Sequence, residues 1–339
     1  MGVKLGDLVV KRSIGEGELS GKIVGMDAYN ILYQFTASIR TPEGFPLTNS
    51  RGVVVSHLKG LFSRTASFFS EGIRPVYIFD GTPHALKKGT LDLRRERKEK
   101  ARKEWEIALE EGDLERARTK AQQTSRLTDD MVEDSRRLLR LMGVPCIQAP
   151  GEGEAQASYM ASKGIFYGAS SQDLDSLLFG CPRLIRNLAV TGRRKLPGKH
   201  SWVNVEPEII ELQATLDKLD ISREQLVDMA ILVGTDFNEG VKGIGPKRSL
   251  AMIREFGSLE SLVKEKRIPL LEWEEIREIF LDPDVSKDIE LSFRKPDPEK
   301  IIEMLVEEME FGRAGVEKTL QQLGSRAETP SQVSLDAFF

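Results

Sequence analysis

The spacing of apolar and polar residues in residues 20–81 predicts two strands separated by two helices. Short apolar runs bounded by polar residues are typical of buried strands, whereas apolar residues that recur every three or four positions are typical of helices. The pattern predicts a strand at Lys22–Met26, a helix from Ala28 to Phe35, a helix from about Ser56 to Ser70 and a strand at Pro75–Phe79.

The alternation of strand-like and helix-like segments stops after residue 81 and resumes at residue 129. Residues 84–128 are densely charged and contain few large apolar side chains, whereas strand-like and helix-like segments alternate from 129 to 260. Helical segments are expected from 260 to 325, and a polar tail follows. Because strands that alternate with helices usually pair in parallel, the sequence predicts an α/β fold with a central, largely parallel, twisted β-sheet flanked by helices.

Composition excludes several classes of protein. The 339-residue chain is 40% hydrophobic and 30% charged, which is typical of a soluble globular enzyme. No apolar run approaches the roughly 18 residues that a membrane-spanning helix needs. The two cysteines, Cys146 and Cys181, are far apart and the three histidines are scattered, so neither a zinc module nor a His-based catalytic site is expected. The net charge of -4 argues against a nucleic-acid partner unless many acids face metal ions.

Seven acidic residues follow strand-like segments. They are Asp27, Asp80, Glu152, Glu154, Asp173, Asp175 and Asp236, the last of them after the apolar run Ala230–Val233. A single acid in such a position is commonly a helix cap or a turn residue. Because ligands of an open α/β sheet bind beyond the carboxyl ends of its strands, we expect all seven at one edge. Their mutual repulsion would require cations, and Mg²⁺ prefers oxygen ligands, so the sequence predicts two-metal hydrolysis of phosphodiesters.

A basic segment begins a few residues after Asp80. Residues 87–103 contain nine basic and three acidic residues, which gives a local charge of +6. Lys87 and Arg94 would share one face of a helix if that helix continued through Gly89, a residue that weakens helices. A solvated, salt-bridged helix is the alternative interpretation.

Glycines before a proline mark a second candidate site for DNA. Gly243 and Gly245 precede Pro246, which would begin a helix whose N-terminal N–H groups could bind phosphate beside Lys247 and Arg248. A plain turn is the alternative. Tyr33, about one and a half helical turns after Asp27, could stack on a base or serve as a core aromatic.

The end of the chain carries a motif for a protein partner. The pattern Q-x-x-aliphatic-x-x-aromatic-aromatic, by which tails bind a sliding clamp, is matched by Gln332, Leu335, Phe338 and Phe339. The apolar side chains would fill a pocket of the clamp, and the tail would become ordered on binding. A frayed remnant without function is the alternative.

Five segments resemble the flap endonuclease family, and the likeness runs from Met1 to Phe339. They are Asp27–Ala28, Val76–Gly81, Ala149–Ala157, Gln172–Asp175 and Gly243–Lys247. The resemblance implies that the seven acids bind the metals. It also implies a helical arch in which Lys87 and Arg94 contact the scissile phosphate. The glycine-rich segment would be a helix–two-turn–helix that grips duplex DNA and often binds a monovalent cation. Further DNA contacts are implied at Gly2 and Tyr33.

The resemblance also implies the reaction and its setting. We expect Mg²⁺-dependent cleavage near the junction of a 5′ flap, with Mn²⁺ able to substitute, and 5′–3′ exonuclease activity on nicked or gapped DNA. The setting would be Okazaki fragment maturation and repair. We expect a monomer in the cytoplasm of an archaeal cell, since the basic tail usual in eukaryotic members is missing. A nuclear location would apply only to a eukaryotic source.

The expected organisation is one nuclease domain, 1–325, followed by a clamp-binding tail, 326–339. The domain would comprise an N-terminal half (1–83), the arch (84–128), an internal half (129–260) and C-terminal helices (261–325). The helix–two-turn–helix is expected at about 238–256.

Two other functions remain open at this point. One is that of a sister 5′ nuclease, either a double-strand exonuclease or a bubble-cutting repair endonuclease. Those relatives carry long C-terminal extensions or a longer spacer than the roughly 70 residues between Asp80 and Glu152. The other is a non-catalytic, clamp-tethered binder of DNA structures, which would be expected to lack one of the acidic ligands.

Overall fold

A central β-sheet organises the fold. The computed structural model describes residues 3–189, 192–195, 202–266, 268 and 270–324. Its strands are β1 (Lys11–Ser13), β2 (Ile23–Asp27), β3 (Arg74–Phe79), β4 (Cys146–Gln148), β5 (Gly168–Ser170), β6 (Arg183–Arg186), β7 (Gly192–Lys195), β8 (Trp202–Val205) and β9 (Glu208–Glu211). A seven-stranded sheet has the order β1-β9-β6-β5-β2-β3-β4, and β7 pairs with β8 separately. Strands β6, β5, β2, β3 and β4 are parallel, whereas β9 is antiparallel to both β6 and β1.

Helices connect the strands and extend the chain beyond the sheet. They are α1 (Ala28–Ser38), α2 (Ser56–Ser70), α3 (Lys88–Glu110), α4 (Leu114–Gln122), α5 (Asp129–Leu141), α6 (Gly153–Ser162), α7 (Asp175–Leu178), α8 (Leu212–Leu219), α9 (Arg223–Val233), α10 (Pro246–Phe256), α11 (Leu259–Lys266), α12 (Trp273–Leu281), α13 (Pro298–Ile302) and α14 (Arg313–Gly324). A 3₁₀ turn at Ala85–Lys87 precedes α3, and a π-helical segment at Glu303–Glu308 follows α13. None of the helices in the described ranges is both long and apolar enough to cross a lipid bilayer.

Strand β3 shows how the helices cover the sheet. Successive side chains of a strand point to opposite faces. Tyr77 and Phe79 are buried in a core with residues of α1, α2, α5 and α14, whereas Val76 and Ile78 pack with residues of α6. A further core joins β6 and β9 to helices α7 through α12. Because helices cover both faces, the ends of the parallel strands are left as the place for a ligand.

Local sequence explains where the functional helices begin. The Asp27 carboxylate caps α1 by accepting a hydrogen bond from the Asn30 N–H at 2.9 Å. Ser222 and Gln225 form a reciprocal capping box at the start of α9. Pro246 begins α10 directly after Gly245, as expected for proline in a first helical turn. The caps of α1 and α10 thus fix helix ends at predicted site residues, Asp27 and Gly245.

The structure confirms the largely parallel, helix-flanked sheet and corrects two details. The run Ala230–Val233, predicted as a strand before Asp236, is the last turn of α9, because a short apolar run cannot be distinguished from buried helix by periodicity alone. Residues 282–297, expected to be helical, contain no helix. The antiparallel strands β1 and β9 were not predicted.

The charged segment 84–128 forms a helical hairpin, the arch. Helix α3 runs without interruption through Gly89, so the doubt that this residue raised is resolved in favour of the helix. The residues of α3 and α4 that are buried are all alanines, namely Ala101, Ala108, Ala117 and Ala121. An ion pair between Glu104 and Lys120 also joins the two helices. The arch therefore has only a small core of its own.

Candidate active site

Six of the seven predicted acids lie at the carboxyl ends of parallel strands. Asp27 ends β2, Asp80 follows β3, Glu152 and Glu154 follow β4, and Asp173 and Asp175 follow β5. These four strands are neighbours in the sheet, so their ends meet at one edge. Asp236 reaches the same place from the end of α9, where its charge acts on Asp175. The structure thus brings all seven acids together.

Hydroxyl and amide groups tie the acids to one another. The Ser171 hydroxyl lies 2.6 Å from Glu154 Oε1 and 3.1 Å from Asp27 Oδ2, and it accepts a hydrogen bond from the Asp173 N–H at 3.2 Å. Asn30 Nδ2 approaches Asp173 Oδ2 at 3.5 Å. The Val3 N–H donates to Asp175 Oδ1 at 2.7 Å. Donors from the N-terminal segment, from α1 and from the loop after β5 therefore hold these carboxylates.

Asp80 is held between two loops that approach each other closely. The Gly153 N–H donates to Asp80 Oδ1 at 2.8 Å, and a Cβ on Gly153 would lie only 2.7 Å from that oxygen. Gln148 Nε2 donates to the Asp80 carbonyl at 2.7 Å and reaches two further carbonyls nearby. Arg136 donates in turn to the Gln148 side-chain oxygen. These bonds fix the strand ends that carry Asp80 and Glu152.

Burial and mutual repulsion raise the pKa of several of these carboxyl groups. Burial is the main cause at Asp27, and the charge of Asp80 raises its pKa further. The pKa of Asp80 is raised by burial and then by Glu152. The pKa values of Glu154 and Asp175 are raised by burial and by neighbouring acids. Acids in this state favour a bound cation, because a cation would restore their charged forms.

Two cations of the arch contact these acids directly. Lys87 forms an ion pair with Glu152 and lies 3.9 Å from Asp236. Arg94 donates from Nη2 to both carboxylate oxygens of Asp236, at 2.7 and 2.5 Å. Burial alone would lower the pKa of Lys87, but the charge of Glu152 and the hydrogen bond to it raise the pKa above its usual value. The predicted phosphate-contacting residues thus lie at the acidic edge, about two helical turns apart in the arch.

The chemistry of the donor set fits a hard divalent cation. All seven side chains offer carboxylate oxygens, the ligand type that Mg²⁺ prefers. Within the part of the chain that the structure describes, no group of three or more His, Cys, Asp or Glu side chains has the arrangement of a metal site that is ready to hold an ion. Lys87 and Arg94 instead neutralise Glu152 and Asp236. The acids therefore fit Mg²⁺ by chemistry, and arch cations compensate part of their charge in this arrangement.

The predicted duplex-binding segment lies just beyond Asp236. Gly243 has φ of +83°, in the region that favours glycine, and Gly245 is the N-cap of α10. Lys247 and Arg248 are exposed in the first turn of that helix. Two exposed cations therefore lie at the N-terminus of α10, which is a suitable surface for a phosphate backbone.

Tyr33 is on the surface and not in the core. Its side chain is 36% exposed, so the alternative of a core aromatic is excluded. Lys98 Nζ of the arch lies 4.6 Å from the centroid of the Tyr33 ring. A cation over an aromatic face is a favourable contact, and here it joins the arch to α1.

Several predicted residues lie outside the described residues. These are Gly2 and the clamp-binding residues Gln332, Leu335, Phe338 and Phe339.

Sequence reasoning missed the residues that position the acids. Ser171, Gln148 and Asn30 carry no charge, and their hydrogen bonds to other elements of the site join residues 17 to 144 positions apart. Ser171 is separated by a single residue from Asp173, and this proximity is the one sequence signal that could have suggested its role.

Family models and curated relatives match the chain along its length. The model for the XPG N-terminal domain matches residues 2–101, and that for the XPG I-region matches residues 143–236. Flap endonuclease 1 of Methanosarcina barkeri is 49% identical over 339 residues, which cover 100% of both chains. Flap endonuclease 1 of Thermococcus onnurineus is 47% identical over 341 residues, covering 100% of this chain and 99% of that protein. These relatives are archaeal, which agrees with the source expected from the sequence.

Solved structures show the same fold. Flap endonuclease-1 from Methanococcus jannaschii matches with a TM-score of 0.76 at 42% identity, covering 95% of this chain and 98% of that chain. The catalytic core of Rad2 in complex with DNA substrate matches with a TM-score of 0.69 at 22% identity, covering 94% and 97%. The second likeness concerns the fold alone.

Proposed function

The chain belongs to the flap endonuclease family and is a structure-specific 5′ nuclease, and from this premise we propose that it hydrolyses flap DNA with two Mg²⁺ ions. The observation that carries the proposal is the meeting of seven carboxylates with Lys87 and Arg94 at one edge of the sheet. Mn²⁺ would replace Mg²⁺, because it accepts the same oxygen ligands.

The seven acids would hold the metal ions. They are Asp27, Asp80, Glu152, Glu154, Asp173, Asp175 and Asp236. When bound, the ions supply the charge that activates a water and stabilises the leaving oxygen of the phosphodiester. Ser171, Gly153 and the Val3 N–H keep carboxylate oxygens oriented, and burial at this edge limits competing water.

Lys87 and Arg94 would stabilise the reacting phosphate. Their side chains already reach the acids, so a phosphate placed at the same edge would meet two cations on its arch side. Fixed positive charges aimed at developing negative charge lower the barrier to hydrolysis. We therefore assign both residues a catalytic role.

The remaining candidate residues would position the DNA. Gly243, Gly245, Lys247 and Arg248 would grip the duplex backbone without reading sequence, and a monovalent cation would bind in the same turn. Tyr33 would stack on a base near the cut, which its exposure allows. Gly2 would be a further contact with the DNA.

The wider setting is part of the proposal. We propose that the nuclease domain spans 1–325 and that the tail binds a sliding clamp through Gln332, Leu335, Phe338 and Phe339. A monomer would act on branched DNA in replication and repair, in the cytoplasm of an archaeal cell. Nicked and gapped duplexes would be substrates for 5′–3′ exonuclease cleavage.

Cleavage of defined DNA structures tests the proposal. Labelled 5′-flap, bubble and blunt duplex DNA are incubated with the protein and either Mg²⁺ or EDTA. We expect Mg²⁺-dependent cleavage of the flap, lost in Asp175→Ala while DNA binding survives. The control is Asp217→Asn, which removes an exposed carboxylate of α8. Undiminished cleavage by Asp175→Ala would refute the metal assignment, and preferred cleavage of bubbles or blunt ends would assign the chain to a sister activity.

A further inference from the structure

The arch meets the loop between α1 and α2 at a point far from the acids. The Phe45 and Trp105 rings pack edge to face with centroids 5.1 Å apart, and Trp105 Nε1 donates to the Glu43 carbonyl at 3.2 Å. Trp105 lies in α3, whereas Glu43 and Phe45 lie in the loop 39–55. Phe45 is 48% exposed, so this contact is a small surface attachment and not part of a core.

Gly44 allows the close approach of the loop to the arch. Its φ is +93°, and an added Cβ would lie 2.6 Å from Ala121 Cβ of α4 and 3.3 Å from Trp105 Nε1. Gly52 in the same loop also has a positive φ, of +78°, but its added Cβ would have no atom within 4 Å. Glycine at 44 is thus required for contact with the arch as well as for backbone conformation.

Arg40 connects the same loop to the helix that begins at the acids. Its guanidinium donates to the Thr36 carbonyl of α1 at 2.9 Å, to the Gly44 carbonyl at 2.7 Å and to the Ser125 hydroxyl at 2.9 Å. Ser125 follows α4, and α1 begins directly after Asp27. The loop is therefore tied to α1 and to both helices of the arch.

The arch needs such an attachment because its own core is small. Trp105 is 11 residues beyond Arg94 on the same helix, a distance of about 16 Å along its axis. Rotation of α3 at its outer end would move Arg94 relative to Asp236, and misplacement by about 1 Å can cost about 100-fold in rate.

We propose that Trp105, with Glu43, Gly44 and Phe45, forms a latch that positions the arch cations over the acids. Trp105 is a positioning residue and acts through Arg94 and Lys87. The proposal rests on the proposed nuclease function and adds a specific attachment site for the arch.

Hydrogen exchange tests the latch without any cleavage. In Trp105→Ala, the amides of α3 and α4 should exchange at least about tenfold faster in DNA-free protein, because the arch loses its outer attachment. Ile107→Ala is the matched control, since Ile107 is 45% exposed on the same helix. Unchanged exchange in Trp105→Ala, or equal acceleration in Ile107→Ala, would overturn the latch, and neither result bears on the nuclease proposal.

Single-turnover cleavage tests its role in positioning. Trp105→Ala should slow flap cleavage about 10- to 100-fold with little change in flap affinity measured without divalent metal. Trp105→Phe keeps a ring against Phe45 and should restore part of the rate. In a background of Arg94→Ala, the effect of Trp105→Ala should be smaller than in the wild type, because Trp105 acts partly through Arg94. If Trp105→Ala slowed cleavage by the same factor in Arg94→Ala as in the wild type, the positioning role would be overturned.

A pair of glycine substitutions separates the contact from backbone strain. Gly44→Ala and Gly52→Ala impose a similar left-handed backbone cost, but only the first pushes against Ala121. Gly44→Ala should therefore slow cleavage and loosen the arch, whereas Gly52→Ala should do neither. Equal effects of the two substitutions would contradict the proposal.

Discussion

His57 offers a test of how burial controls stability. It is fully buried in the second position of α2, and neither ring nitrogen has a hydrogen-bond partner among the described residues. Burial lowers its pKa from 6.5 to about 4. The imidazole is therefore neutral in the folded protein at pH values where the unfolded chain would be protonated.

The sign and size of the effect follow from this difference. Well above pH 6.5 His57 is neutral in both the folded and the unfolded state, so its contribution to the free energy of unfolding does not change with pH. As pH falls from 6.5 towards 4, the unfolded chain takes up a proton and the folded protein does not, so stability is lost. A difference of 2.5 pKa units corresponds to about 3 kcal/mol across that interval.

Urea denaturation of His57→Leu and wild type measures the effect. Leucine fills a similar volume and removes two unpaired polar atoms, so we expect the variant to be more stable by about 1–3 kcal/mol at pH 7.5. The gain should grow by about 2–3 kcal/mol between pH 7.5 and pH 4.5. The active-site carboxyl groups have raised pKa values, so they increase the free energy of unfolding as pH falls. Because both proteins contain these groups, their contribution cancels when the two are compared at the same pH. His84→Leu, at a half-buried position, is the control, and a gain for His57→Leu that does not depend on pH would refute the reasoning.

Three further substitutions test the site and its supports. Gly153→Ala should raise the Mg²⁺ concentration needed for half-maximal cleavage by about 10- to 100-fold, because the new Cβ displaces Asp80; an unchanged requirement would contradict this. Arg277→Leu should cost about 3–5 kcal/mol in urea denaturation, since Asp228 is 1% exposed and pairs with Arg277 at 2.8 Å. Adding Asp228→Asn should recover part of that loss, and full additivity would argue against the pair. Lys87→Met should bind Mg²⁺ more tightly by calorimetry without DNA but cleave flaps more slowly; weaker binding would show that Lys87 does not compete with the metal.

The sequence predicted those parts of the molecule that depend on short-range patterns. Strands β2 and β3 and helices α1 and α2 were found because each has a clear period and a polar boundary. The acids were found because a charged residue at the end of a buried strand is conspicuous. Asp236 was also identified, although for a partly wrong reason, since the apolar run before it is helix.

The parts that were missed depend on contacts between distant residues. Strand β1 pairs with β9 across about two hundred positions of sequence, and its three residues have no apolar period. Gln148 and Ser171 act through uncharged hydrogen bonds whose partners are set by strand order. Trp105 and Phe45 meet only when the arch folds against the loop between α1 and α2. Periodicity contains no information about such pairs.

The acidic edge and the arch form one electrostatic unit. Burial raises the pKa values of the carboxyl groups at this edge, and their mutual repulsion raises these values further. Lys87 and Arg94 compensate part of that charge, so the acids attract the arch even without a metal. A divalent ion at Glu152 or Asp236 would compete with these cations and release them towards a phosphate. The attraction that brings the arch over the site is then weakest when the metals are bound. A neutral attachment at Trp105, which does not depend on the charge of the acids, would keep the arch in place at that stage.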